Sequence, residues 1–479
     1  MMSSARRLWW LILLFPVLLV GCDSQGEHCD SLASCRPLAQ QGDKAAQLFV
    51  GLYYAEGTGG VKDYKEAASW FEKAAQQNQA DAQFNLGLLY EKGLGVPQDY
   101  KLAAKWYRKA ANQGLAQAQL NYGRLLAEGH GIKQNQKDAA KWFQKASKQN
   151  NPYACYNLGM MHLTGEHVEK DLSKAARYLK SAAIQGDVDA QFQLARLYAR
   201  GEGVDQDDTQ ALQWYEYAAE QSHPEAQFRV GVYYLEGQGG GEDNEKAVVW
   251  LRKSAEAGHP TAQLYLGAVH IEGHGVPQNY AEAFHWLEKS ANQGNVRAMH
   301  ALGWLYDEGK GTPENHAKAA HWYLQAAKAG NPDSQYNLAL MYLDGIGVPK
   351  SNSNSFEWMT KAAKQDYPKA QAALGYMYAE GLGTDKNPQK AFYWLERGAK
   401  QGSARAQTYL GLMYFKGLAA PKDMLQAYVW LNIAVSNGNK APAAVKYRAQ
   451  ALDALTPKQQ KQADKLTAQY WNKYVLPYR

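Results

Sequence analysis

Few residues in this chain have types and spacing suited to chemistry, and their context argues against most of it. His270 and His274 stand four apart, the interval of paired metal ligands on one helix face. Gly273 falls between them and ends the helix, and His270 occupies a position where Tyr recurs elsewhere, so a core role is expected for it. Gly-x-Gly steps at Gly93, Gly201, Gly275 and Gly347 look like phosphate loops, but they follow helical segments rather than strands and lack the Lys-Ser/Thr pair. No Ser or Cys has a recognisable base and orienting partner in its surroundings. The expectation is a protein that is not an enzyme, with no catalytic residues, no cofactor and no metal.

The four cysteines are more informative. Arg6 and Arg7 precede an apolar stretch from Leu8 to Val20, too short to cross a bilayer and interrupted by Pro16. Leu19-Val20-Gly21-Cys22 follows, and it resembles the bacterial lipobox, in which the Cys is acylated and becomes the first residue after cleavage. The resemblance implies lipid attachment at Cys22 and a cell-envelope lipoprotein facing the periplasm. Asp23 favours the inner membrane over the outer membrane or the surface. Cys29 and Cys35 would then lie in an oxidising compartment. On a helix, their spacing of six would hold the Cα atoms about 9 Å apart, too far to bridge. Pro37 suits a helix's first turn, which puts the helix start near Arg36 and leaves 29–35 irregular, so a disulfide is open but not required. Cys155 sits at a helical position and reads as a buried structural thiol.

Composition narrows the partners. The chain has 479 residues, 52 Lys and Arg against 46 Asp and Glu, and a formal charge of +6. This balance, with no Lys/Arg-rich run, points away from nucleic acid.

What must position these residues is a repeat. Trp stands at 70, 106, 142, 214, 250, 286, 322, 358, 394 and 430, always 36 or 72 apart, and Tyr178 fills the vacancy. Thirteen residues before each of these eleven positions is a Gly, from Gly57 to Gly417. Such a period means stacked supersecondary units. Within residues 80–114, Ala82, Leu86, Leu89 and Tyr90 recur at helical spacing, as do Leu102, Ala103, Trp106, Tyr107 and Ala110. Six residues past each Gly stands Asp, Asn or Ser, the residues that cap helix N-termini at about 1 kcal/mol each. Gly87 and its equivalents sit mid-helix, so a neighbouring helix carrying Ala103 and Ala110 is expected to approach closely there. The Trp is expected to fill the space between successive pairs, and its removal to cost roughly 3–5 kcal/mol.

The predicted architecture is all-α: an α/α superhelical solenoid of eleven 36-residue helix-turn-helix repeats plus caps. The expected boundaries are 1–21 for the leader, 22–35 for the lipid anchor and linker, 36–440 for the solenoid and 441–479 for capping helices. Residues 36–42 read as the tail of a partial unit. The segment Thr456-Pro457-Lys458-Gln459 reads as a capping box opening a last helix, with Leu466, Tyr470 and Tyr474 on one side.

The pattern A-Q-x-x-L-G-x-x-Y-x-x-G-x-G-V-x-x-D-x-x-x-A-x-x-W-x-x-x-A-A-x-x-G, nearly complete at Ala82 to Gly114 and Ala262 to Gly294, resembles the Sel-one-like repeat, a relative of the tetratricopeptide repeat. The resemblance implies a scaffold or adaptor whose first helices line a concave groove. Asn85, Asn121, Asn157, Asn337, Arg124, Arg196, Arg229, Trp304, Tyr336 and Tyr376 fall in rows expected to face that groove and bind protein or peptide segments. The expected function is a membrane-anchored extracytoplasmic scaffold. The C-terminal half also resembles an envelope protein that binds secretory immunoglobulin A, which implies a surface receptor for a host protein as an alternative. A cell-wall-related hydrolase or β-lactam-binding enzyme is the rival class. The Cys-rich family members that suggest it carry cysteines this chain lacks.

Overall fold

The computed structural model describes residues 29–478 apart from 59 and 61, so Cys22 and the leader lie outside the described residues. Among the described residues there are α-helices, one 3-10 turn and no strand. They divide into two compact units, one running to Ala226 and including Gly237–Gly241, the other made of Gln227–Glu236 and the chain from Glu242.

Unit 1 opens with α1 (Leu32–Gln41). Four helix pairs follow: α2 (Lys44–Glu56) with α3 (Tyr64–Gln76), α4 (Ala80–Lys92) with α5 (Tyr100–Asn112), α6 (Ala116–Glu128) with α7 (Gln136–Ser147), and α8 (Pro152–Thr164) with α9 (Leu172–Ile184). A fifth pair, α10 (Val188–Arg200) with α11 (Asp208–Glu220), completes it. Unit 2 takes most of α12 (Pro224–Glu236), then α13 (Asn244–Glu256), α14 (Pro260–Glu272) with α15 (Tyr280–Asn292), and α16 (Val296–Asp307) with α17 (His316–Lys328). It continues with α18 (Pro332–Asp344) and α19 (Asn352–Lys364), α20 (Pro368–Glu380) and α21 (Pro388–Lys400), and α22 (Ala404–Lys416) and α23 (Met424–Ser436). Two further helices, α24 (Pro442–Asp453) and α25 (Pro457–Tyr474), and a 3-10 turn at Leu476–Tyr478 close the chain.

The local chemistry read from the sequence is what starts and stops these helices. Asp63, Asp99 and Asn135 each cap a second helix by accepting from backbone N–H groups of its first turn, and the equivalent residue does so in every repeat through Asp423. Gly93 ends α4 in the left-handed region at φ +67°.

Two close approaches set the packing. A Cβ on Gly87 would stand 2.9 Å from the Tyr107 ring and 3.4 Å from the Ala103 carbonyl. The expected tight contact with the second helix is therefore real, but the group that needs the space is chiefly the ring following Trp106. A Cβ on Gly95 would collide with the Tyr64 carbonyl, so this second turn glycine seats each repeat on the first turn of the preceding second helix. His167 and Ala419 hold the same left-handed turn without being Gly, at φ +67° and +64°.

Trp106 packs into the cluster of the preceding repeat, with Leu52, Phe71, Leu86 and Leu89. Trp70, Trp106, Trp286 and Trp430 are buried; the other repeat tryptophans are half-buried, and the fully enclosed side chain is the next residue, such as Phe71, Tyr107 or Tyr323. A Lys three residues on covers the outer indole face, with its ammonium 3.9–4.5 Å from the ring centroid at Lys73, Lys109, Lys145, Lys253, Lys289 and Lys361.

The start of α1 corrects the sequence expectation. The helix begins at Leu32, not near Arg36, and contains Pro37. A capping box between Ser31 and Ser34, with Cys35 and Ala39 buried against α2, outweighs the proline's missing N–H. Cys29 precedes the helix, and its Cα stands 4.8 Å from that of Cys35, to which it is disulfide-bonded. At the other end Thr456 and Gln459 form the expected capping box, and Tyr470 and Tyr474 pack on Trp430.

Candidate interaction surface

One polar feature joins successive repeats inside each unit. A buried Gln near the start of most first helices donates to the carbonyl eight residues back, as Gln83 does to Ala75 and Gln263 to Ala255. The same Gln accepts from the residue 30 positions later: Gln113 bonds Gln83 at 2.8 Å, Gln149 bonds Gln119 at 3.0 Å and Gln293 bonds Gln263 at 2.8 Å. Sequence reading missed these rungs, although Gln seven residues after Trp was visible. Two repeats lack the first-helix Gln. Cys155 replaces it in one, buried, with its thiol pushed up by burial and 3.6 Å from the Ser181 hydroxyl, as a structural thiol should be. Met299 replaces it in the other, where Ala329 stands 30 residues on, so both members there are apolar.

The residues expected to face a groove divide into two groups. In unit 1 several are spent inside the protein. Asn85 is 2% exposed and donates to the Asp81 carbonyl. Asn121 faces the buried Tyr107 hydroxyl and favours its ionised form. That hydroxyl donates to Glu91 at 2.9 Å, and Arg124 reaches Glu91 at 2.7 Å and Glu128 at 2.9 Å. Burial pushes the ionisation of Tyr107 well up, and Glu91 pushes it further. Burial opposes the Arg124 cation, but Glu91 and Glu128 outweigh it and hold its value above the usual one. Asn157 is half-buried, opposite the repeat position where Phe143 has no hydroxyl. Arg196 holds Gln193 at 2.9 Å. Tyr156, enclosed by burial and near Asp189, is pushed up to about 12.

In unit 2 Asn337 faces the Tyr323 hydroxyl in the same way and favours its ionised form. Arg229 is exposed and lies 5.4 Å over the Phe228 ring. Trp304 is half-buried under Lys310, 4.4 Å away. Tyr336 packs on Tyr367 at 5.5 Å, and burial, with the nearby Asp333 carboxylate, pushes the ionisation of Tyr367 up. Tyr376 packs on Tyr409 at 5.2 Å, and Arg405 is close enough to act on Tyr336. Tyr367, Tyr409 and Arg405 were not singled out from the sequence. Tyr409 shares the repeat position of Asn85, so position equivalence was a signal for it.

His270 is buried, its value lowered by burial and by Arg252, while His274 pairs with Glu272 at the surface. Among the described residues no group of three or more His, Cys, Asp or Glu could hold a metal, and no helix is long and apolar enough to cross a membrane.

The Sel1 repeat pattern matches eleven consecutive segments, from 44–79 to 404–439. This chain belongs to the Sel1 repeat family. Its fold is the family's all-α solenoid, and arrays of this kind are typically non-catalytic protein-interaction scaffolds. A protective antigen present in uropathogenic Escherichia coli strains, displaying an SLR fold, is similar at 34% identity over 94% of this chain and 96% of its own, with a TM-score of 0.88. A Sel1 repeat protein from Oxalobacter formigenes is 32% identical over 68% of this chain and 93% of its own, with a TM-score of 0.55. No curated protein matches the chain.

Proposed function

We propose that the protein is an envelope-anchored adaptor, lipid-modified at Cys22 and facing the periplasm, that holds extended protein segments along the first-helix side of unit 2. The observation that carries this reading is the run of Trp304, Tyr376, Tyr409 and Arg405, partly or fully exposed on first helices. Aromatic and Arg side chains of this sort anchor protein partners. Exposed Arg297, Lys369 and Arg405 share one repeat position, which favours acidic segments. Photo-crosslinkers at Tyr376 and Trp304, followed by mass spectrometry, are expected to capture one protein from intact cells; crosslinks scattered over abundant proteins would count against the reading. Palmitate labelling lost in Cys22→Ser tests the anchor.

A second reading, a surface receptor for a host protein, gains support from the similarity to a protective antigen. Protease shaving of intact cells, with purified secretory immunoglobulin A as the binding probe, decides between the two locations.

A further inference from the structure

The net charge of the chain is concentrated. Residues 80–187 hold 15 Lys and Arg against 9 Asp and Glu, a surplus that equals the +6 of the entire chain. Within these three repeats the excess sits on the second helices: α5, α7 and α9 carry ten Lys and Arg against one acid, Asp138. All ten are exposed. On either side the pattern stops, since α3 has two Lys against two Glu and α11 has three acids and no base.

Helix geometry makes this a single face. Lys101, Lys105 and Lys109 recur every four residues, away from the buried Ala103, Tyr107 and Ala110. Lys105, Lys141 and Arg177 are separated by 36 residues and mark the same position on successive second helices. The charges therefore form rows about 6 Å apart along each helix, repeated at the same position on three successive second helices. Asp138 and Asp171 engage Lys141 and Lys174; the other eight have no carboxylate in ion-pair range among the described residues.

We propose that the α5–α7–α9 face docks on the anionic headgroups of a phospholipid bilayer. The chemistry favours a membrane over a folded or nucleic-acid partner. Eight of the ten cations are Lys, whose flexible point charges suit a diffuse layer of phosphates better than the bidentate sites for which Arg is preferred. The aromatic rings at this repeat position, Trp106, Trp142 and Tyr178, each lie under a cation, Lys109, Lys145 and Arg177, which leaves no open platform for stacked bases. Position agrees, and here alone the inference rests on the proposed anchor. Nine residues lie between Cys22 and α1, a reach of at most about 35 Å, and the patch lies in the same unit as α1.

The test uses residues 29–479, which retain both caps, the disulfide and every described core cluster, so neither leader nor lipid contributes to binding. This body is expected to co-sediment with phosphatidylcholine–phosphatidylglycerol vesicles (7:3) and not with pure phosphatidylcholine, and to be released by 0.5 M salt. Each cation near such a surface contributes roughly fivefold to partitioning. Lys105→Glu, Lys141→Glu and Arg177→Glu together should lower it about 100-fold or more, with the circular dichroism melt unchanged. Gln at the same three positions should give a smaller loss. Three reversals in unit 2, Lys318→Glu, Lys361→Glu and Lys390→Glu, should leave it within a few fold. Equal losses from both triple variants would overturn the proposal, and so would no binding to the 7:3 vesicles or tighter binding to a duplex oligonucleotide. Crosslinking through Tyr376 is independent of these substitutions, so failure here leaves the adaptor reading standing, and the reverse also holds.

Discussion

Tyr107 of unit 1 and Tyr323 of unit 2 occupy the same repeat position six repeats apart, and their surroundings diverge at one residue. Each ring is buried, each hydroxyl meets an Asn of the next first helix, and each has an acid near the end of its own first helix. In unit 1 the next first helix brings Arg124, and Glu91 is drawn into a buried ion pair, 5% exposed. In unit 2 Leu340 stands at that position, and Asp307, a third exposed, turns to His316 at 2.9 Å instead. One side chain thus decides whether a carboxylate belongs to the core or to the surface. The comparison also shows that Asn121 and Asn337 serve the interior in both units, and it turns attention to the aromatic and basic positions of unit 2 as the ones open to a partner.

The largest effect that would break this comparison is at Arg124. Arg124→Leu reproduces the unit 2 residue but strands Glu91, and should cost about 3–5 kcal/mol in urea unfolding. A cost below 1 kcal/mol would mean that Glu91 escapes to solvent as Asp307 does. Next come the hydroxyls. Tyr107→Phe removes a donor from a buried carboxylate and should cost about 2 kcal/mol, against about 1 kcal/mol for Tyr323→Phe. Equal losses would erase the distinction between the units.

A smaller contrast is pH-dependent. Burial lowers the ionisation of His300, which is 2.9 Å from the Ser334 hydroxyl, and Asp333 opposes that shift only in part. Burial also lowers His270. As pH falls through the ordinary His value the unfolded chain takes up these protons first, so unit 2 should lose stability between pH 7 and pH 5. His300→Gln should flatten that slope in unfolding followed at both pH values; an unchanged slope would assign it to other groups. The smallest effect is expected at His316. His316→Ala should cost less than about 1 kcal/mol and the loss should fade in salt, because its partner is partly exposed.

Much of the fold was legible because its signals are local. The Trp and Gly periods, the capping Asp and Asn residues and the Thr456 box all act within a few residues, and the helices begin where they indicate. The start of α1 was missed because Pro37 is also a local signal, and burial of Cys35 and Ala39 overrides it from outside the segment. The Gln rungs and the inward turn of Asn121 escaped for a related reason. Each depends on a partner 30 or 14 residues away, whose distance is fixed only once repeats are stacked with their true offset. Replacing Asn121 to probe the groove would therefore disturb Tyr107 as well as any surface.

The most direct measurement is the affinity of the crosslinked partner for two variants, one altered on the exposed side of unit 2 and one in the interior of unit 1. Trp304→Ala, Tyr376→Ala and Arg405→Glu together should weaken binding at least tenfold at a temperature where the circular dichroism of the variant still matches that of the parent. Asn121→Ala should lower the melting temperature and leave affinity as it was. The opposite pattern, binding lost with Asn121 and kept without the unit 2 residues, would contradict the account.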